Sequence, residues 1–76
     1  MDKNLNRIKV MLAEKNKPNK WLCEQLGVSP TTVSKWVTNT SQPPMETFMK
    51  IVRVLDVDIN DLIRYDQIDK EIAEAE

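Results

Sequence analysis

Asn19-Lys20-Trp21-Leu22-Cys23-Glu24-Gln25-Leu26-Gly27-Val28-Ser29-Pro30-Thr31-Thr32-Val33-Ser34-Lys35-Trp36 decides how the rest of this 76-residue chain is read. Just before it, Pro18 ends the linker Asn16-Lys17-Pro18 and permits a helix over about residues 19–26, with Leu22, Cys23 and Leu26 facing inward. Gly27 follows directly, and glycine adopts the left-handed conformation that ends a helix at no steric cost. Ser29-Pro30 then starts another helix over about residues 30–38. The serine hydroxyl accepts an orphan amide of the first turn, and proline at the first helical position gives up no donor that is needed.

Two short helices joined by a tight bend with glycine form a helix-turn-helix. Its geometry requires apolar side chains where the helices meet, supplied by Leu22, Leu26, Val28, Val33 and Trp36, and a small one where they approach closest, supplied by Cys23. With about 100° per residue and Thr31 at zero, Val33, Trp36 and Val37 fall at about 140° to 240°. Ser34, Thr38, Thr31, Lys35 and Thr32 spread over about −60° to +100°. One face docks and the other is free. The free face carries hydroxyls and one lysine, and no acid occurs from Val28 to Ser41. Lysine donates to guanine O6 and N7, and threonine bonds base edges or touches the thymine methyl. The expected partner is therefore double-stranded DNA, with the helix of residues 30–38 in the major groove.

Outward from this unit, Leu5, Ile8, Met11 and Leu12 predict a first helix over about residues 4–15. Asn39-Thr40-Ser41-Gln42-Pro43-Pro44 reads as a polar loop closed by proline. Met45, Phe48, Ile51, Val52 and Leu55 line one face of a fourth helix, and Asp58, with Asp61 three residues on, caps a short fifth carrying Ile59, Leu62 and Ile63. The expectation is an all-α, compact five-helix domain over residues 1–64, followed by an acidic tail or helix extension over 65–76. In that last segment Ile68 and Ile72 form the only apolar i, i+4 pair.

The net charge of −1 hides a split: residues 1–38 hold seven basic groups against three acids, a net of +4, and residues 39–76 hold four against nine, a net of −5. The pattern predicts a polyanion-facing half and an acidic end. Cys23 is the only cysteine, so no internal disulfide is available, and a reduced, cytoplasmic setting is expected. No stretch approaches the ~18 apolar residues of a membrane span, and no export signal is read at residues 1–9. Asn39-Thr40-Ser41 matches a glycosylation acceptor by accident.

The remaining chemistry-bearing residues read as structure. With no histidine and one cysteine, zinc chemistry is excluded in practice, and no cofactor is expected. Asp56 and Asp58 lack a basic partner for acid-base work and serve as turn and cap, so no enzymatic activity is expected. Trp36 belongs to the core, Trp21 packs on the surface against the end of the first helix, and Cys23 is a small packing residue. Met11, Met45 and Met49 read as core or near-core filling and Met1 as the initiator.

The stretch from Asn19 to Trp36, with its Leu-Gly-Val-Ser turn, resembles the helix-turn-helix family of Cro and phage-repressor type, the XRE family, and residues 4–64 fit its pattern. The resemblance implies a lambda-repressor-like DNA-binding domain of a bacterium or phage that regulates transcription, commonly as a homodimer. It places base reading on Pro30, Thr31, Thr32 and Lys35 and a phosphate clamp on Asn19. Lys20, Ser29, Ser34, Thr38, Asn39 and Thr40 are assigned with them as phosphate or flanking contacts. Pro30 has no side-chain donor, so readout there is apolar or absent. Many members pair an arginine of the first helix with a glutamate ending the recognition helix, where this chain has Leu12 and Val37; an apolar contact replaces a buried ion pair without loss of stability. The loop after the recognition helix is often basic in the family, whereas here it is Asn39-Thr40-Ser41-Gln42. The function expected is sequence-specific regulation, as a repressor. The competing expectation is an antitoxin or interaction module that binds a protein partner through the acidic C-terminal half, residues 65–76 included.

Overall fold

The computed structural model describes residues 4–75. Asp2, Lys3 and Glu76, which entered the charge reading, and Met1, read as the initiator, lie outside the described residues. Among the described residues six helices follow one another: α1 Ile8–Glu14, α2 Asn19–Leu26, α3 Pro30–Val37, α4 Met45–Leu55, α5 Ile59–Leu62 and α6 Asp66–Ala75.

The N-terminal segment corrects the first expectation. Leu5 shares the spacing of Ile8, Met11 and Leu12, yet residues 4–7 are not helical and Asn6 forms an antiparallel bridge with Ile63. The Arg7 amide donates to the Leu62 carbonyl at 2.7 Å and the Arg64 amide to the Leu5 carbonyl at 2.9 Å. The cause is local competition for the backbone: Asn6 Oδ1 accepts the Ile8 amide at 3.1 Å, which starts the helix there and leaves the residues before it extended. Ile63 takes the other side of the bridge, so it is not the helical residue expected in α5.

The helix ends share one device. Asn16, Gly27, Asn39 and Asp56 all have positive φ, between 54° and 67°. After α1, α3 and α4 the chain makes both bonds of a Schellman turn. Lys17 donates to the Leu12 carbonyl and Asn16 to Ala13, Thr40 to Lys35 and Asn39 to Trp36, Val57 to Val52 and Asp56 to Arg53. After α2, Gly27 and Val28 both donate to the Cys23 carbonyl, at 2.8 and 3.2 Å. Each bond occupies a carbonyl that the helix itself leaves without a partner.

Ile8, Met11, Leu12, Leu22, Cys23, Val33, Trp36, Val37, Ile51, Leu55 and Leu62 are buried together as one core. Full burial of each such aliphatic side chain contributes about 1.5–3 kcal/mol. α2 packs on α3 and α4, α1 on α3 and α5, and α4 on α5. Leu12 and Val37 both lie in this cluster, so apolar packing holds these two positions as expected. Two expectations for the flanks are corrected. Met45 and Met49 are 72% and 58% exposed rather than core filling, because Met45 begins α4 beyond the edge of the core and Met49 lies on its outer side. Ile59 at the start of α5 is likewise exposed, and only Leu62 of that helix is buried.

Candidate DNA interface

α3 presents its outer face because its inner face is taken by the core. Val33, Trp36 and Val37 are buried, whereas Pro30, Thr31, Ser34, Lys35 and Thr38 are exposed and Thr32 is half-buried. Ser29 caps the helix as its sequence predicts: its Oγ accepts the Thr32 amide at 3.2 Å and lies 2.9 Å from the Thr32 hydroxyl. This ties the side chains of Ser29 and Thr32 together at the N-terminal end of α3, beside the exposed Pro30 and Thr31.

α2 supplies a second approach. Its N-cap is Pro18, with no side-chain hydrogen bond; the Trp21 amide donates to the Pro18 carbonyl at 3.1 Å, and the Asn19 and Lys20 amides before it are left to face an incoming oxygen anion. Asn19 and Lys20 are exposed at that end. Lys17 Nζ lies 5.2 Å from the centroid of the Trp21 ring, a cation-π contact that holds the half-buried indole against the linker between α1 and α2. Gly27, with φ 67° and ψ 34°, makes the turn that sets α3 against α2, and no atom lies within 4 Å of where its Cβ would stand. Backbone conformation, not crowding, requires glycine there.

Beyond α3, Thr38 donates to the Ser34 carbonyl at 2.8 Å and lies 2.9 Å from the Thr40 hydroxyl. These hydroxyls face solvent with part of their hydrogen-bonding capacity already used inward. Asn39 corrects its assignment as a flanking contact. It is 8% exposed, its Oδ1 accepts the amides of Leu5 and Asn6 at 2.8 and 2.9 Å, and its Nδ2 donates to the Asn6 carbonyl at 3.2 Å. Its side chain fastens the N-terminal segment to the turn after α3 and is nearly closed to solvent there.

Asn6 and Gln42 complete this cluster and were not singled out in the sequence. Asn6 Nδ2 donates to the Trp36 carbonyl at 2.9 Å and to Gln42 Oε1 at 2.7 Å, while Gln42 Nε2 donates to Asn39 Oδ1 at 3.1 Å. Three side-chain amides, those of Asn6, Asn39 and Gln42, thereby lock the end of α3 to the N-terminal segment. No local signal marks them, since the partners are about thirty residues apart in the chain.

A two-helix unit with one buried face, a capped and acid-free outer helix, and a glycine bend is therefore present in three dimensions. A model of the Cro/C1-type HTH DNA-binding domain matches residues 7–67. The chain belongs to that family. The Cro/C1-type domain is also similar to the crystal structure of a candidate DNA-binding protein from Bacteroides fragilis. The two share 50% sequence identity and superpose with a TM-score of 0.77, over 79% of this chain and 97% of that one. No curated protein matches the sequence. Among the described residues, no helix is long and apolar enough to cross a membrane.

Proposed function

We propose that this Cro/C1-type domain is a sequence-specific, double-stranded-DNA-binding transcriptional regulator that inserts α3 into the major groove. The observation that carries the reading is the outer face of α3: Pro30, Thr31, Ser34, Lys35 and Thr38 stand exposed on a helix whose opposite side is core. Lys35 reads guanine through its ammonium donors, Thr31 and Thr32 read base edges or thymine methyls, and Pro30 contributes only apolar contact. Asn19 and Lys20 at the start of α2, with Ser29, Ser34, Thr38 and Thr40 around α3, bind phosphate and fix the register.

The operator is bound by a homodimer in the cytoplasm, because two recognition helices related by a two-fold axis read two half-sites. Repression is the regulatory outcome, since a domain that occupies an operator excludes other proteins from it. A gel shift with duplexes enriched from a random pool tests the reading: a retarded band that resists random competitor supports it, and no preference over random duplex sinks it.

The second reading, an antitoxin or interaction module, is favoured by one feature, that no residue of α6 is buried. A pull-down with the full chain and with a chain ending at Arg64 separates the two. A partner retained only by the full chain, with no duplex preference in the gel shift, would move the assignment to that class.

A further inference from the structure

We propose that Asn6 and Gln42 are positioning residues for DNA readout: without touching DNA, they fix the tilt of α3 by holding its C-terminal end. The inference deepens the reading of α3 as the recognition helix and rests on it. Among the described residues two polar side chains are buried, Asn6 at 2% exposed and Asn39 at 8%. They meet at one place, the end of α3. The buried polarity of the molecule is thus concentrated where the DNA-facing helix stops.

Apolar packing and hydrogen bonds constrain α3 differently. Val33, Trp36 and Val37 turn one face of the helix toward α1 and α2, but apolar attraction has no direction and tolerates small slides and tilts. Hydrogen bonds weaken steeply once they depart from about 2.9 Å and a nearly straight N–H···O angle. Both donors of Asn6 Nδ2 are used here, one on the Trp36 carbonyl at 2.9 Å and one on Gln42 Oε1 at 2.7 Å. Asn6 Oδ1 accepts the Ile8 amide at 3.1 Å, so one side chain both starts α1 and holds the last turn of α3. Gln42 closes the ring through Nε2, which donates to Asn39 Oδ1 at 3.1 Å. The Lys35 carbonyl, one residue before Trp36, accepts the Thr40 and Ser41 amides at 2.9 and 3.2 Å. The backbone that carries Lys35 therefore lies inside the fastened region.

Stability alone does not account for such a network. Apolar side chains of similar size in place of both partners leave stability nearly unchanged, because a buried hydrogen bond largely replaces one made to water. A fully satisfied polar network adds rigidity and a unique arrangement, and among the described residues no buried side-chain nitrogen or oxygen lacks a partner. α3 has eight residues, about 12 Å at about 1.5 Å per residue. A tilt of about 10° around one end moves the other by about 2 Å, more than a base contact survives. Attraction to phosphate decays over roughly 8 Å at physiological salt and tolerates the same shift. Loosening the clasp therefore costs selectivity and spares nonspecific binding.

Titration of full chains against two probes tests this, a duplex enriched from a random pool by the parent chain and a random-sequence duplex. Asn6→Ser keeps an oxygen to accept the Ile8 amide but does not reach Trp36, and Gln42→Ala removes the other half of the bond between the two side chains. Each is expected to lower the preference for the enriched duplex about tenfold, with affinity for random duplex changed less than about twofold. The double variant is expected to lose little more than either single one, because both break one network. Gln42 is only half-buried, so Gln42→Ala carries the test if Asn6→Ser does not fold. Ile51→Val softens the core within α4 and is expected to keep the full preference, which sets a merely structural role apart. In the chains without DNA, hydrogen exchange at the Thr38, Asn39 and Thr40 amides is expected to quicken about tenfold in the clasp variants and not in Ile51→Val. Undiminished preference in the clasp variants, an equal loss in Ile51→Val, or exchange that does not quicken overturns the proposal. A parent chain with no preference between the duplexes overturns the reading of α3 as the recognition helix and the readout role with it; the exchange rates, measured without DNA, tell that failure from a failure of the clasp.

Discussion

Asn6 and Asn39 clasp each other across 33 residues of chain: the Asn6 amide donates to Asn39 Oδ1 at 2.9 Å, and Asn39 Nδ2 donates back to the Asn6 carbonyl at 3.2 Å. Asn39 also ends α3 in the left-handed conformation, with φ 61°. One residue thus closes α3 and fastens it to the N-terminal segment, which is bridged in turn to Ile63. Orientation of α3 and the seating of Leu5 and Asn6 against Ile63 and Arg64 are coupled through this pair.

Asn39→Ala is expected to lower unfolding free energy by about 2–4 kcal/mol, since it leaves buried amides without an acceptor and forces alanine into a left-handed conformation. Asn39→Gly relieves the backbone strain and should lose about 1–3 kcal/mol from the amides alone. Urea denaturation of the two variants checks the difference. Equal stability to the parent would show that the clasp contributes nothing.

Gly27 calls for a different pair of substitutions. With its φ of 67° and open space around the Cβ position, Gly27→Val is expected to destabilise by about 1–2 kcal/mol or more through backbone strain. Gly27→Asn should be close to neutral, because asparagine tolerates the same conformation and already ends α1 and α3 in it. Thermal melts of both chains decide this, and a valine variant that melts with the parent contradicts the assigned turn.

How much of this was legible in the sequence follows from the range of the interactions. Pro18, Gly27 and Ser29-Pro30 are local signals, and α2 begins and ends, and α3 begins, where they direct. The left-handed ends at Asn16, Asn39 and Asp56 were not legible, because those residue types are equally common in loops, caps and exposed faces. The start of α1 departs from the apolar spacing for a further reason. Leu5 has the helical spacing, but its amide is held by Asn39, far along the chain, and no window of sequence contains that partner. The outward face of α3 was readable by angle alone, whereas the loss of Asn39 from that face was not.

Lys35→Ala is expected to weaken operator binding by about 1–3 kcal/mol and to relax preference at one base pair of each half-site. Lys20→Ala should weaken binding to all sequences alike and make the salt dependence shallower, because it removes a phosphate contact only. Titrations against selected and random duplexes at two salt concentrations distinguish the two roles. A Lys35 variant with unchanged affinity and selectivity removes that residue from the base-reading set.

The most direct measurement is selection of duplexes from a random pool by the purified full chain, with footprinting of the enriched sequence. The expected result is a two-fold related site with half-sites about one helical turn, ~34 Å, apart, protected in the major groove and losing selectivity at one position per half-site with Lys35→Ala. Enrichment of no sequence over the starting pool at low salt, or selectivity untouched by every substitution on the outer face of α3, would contradict it.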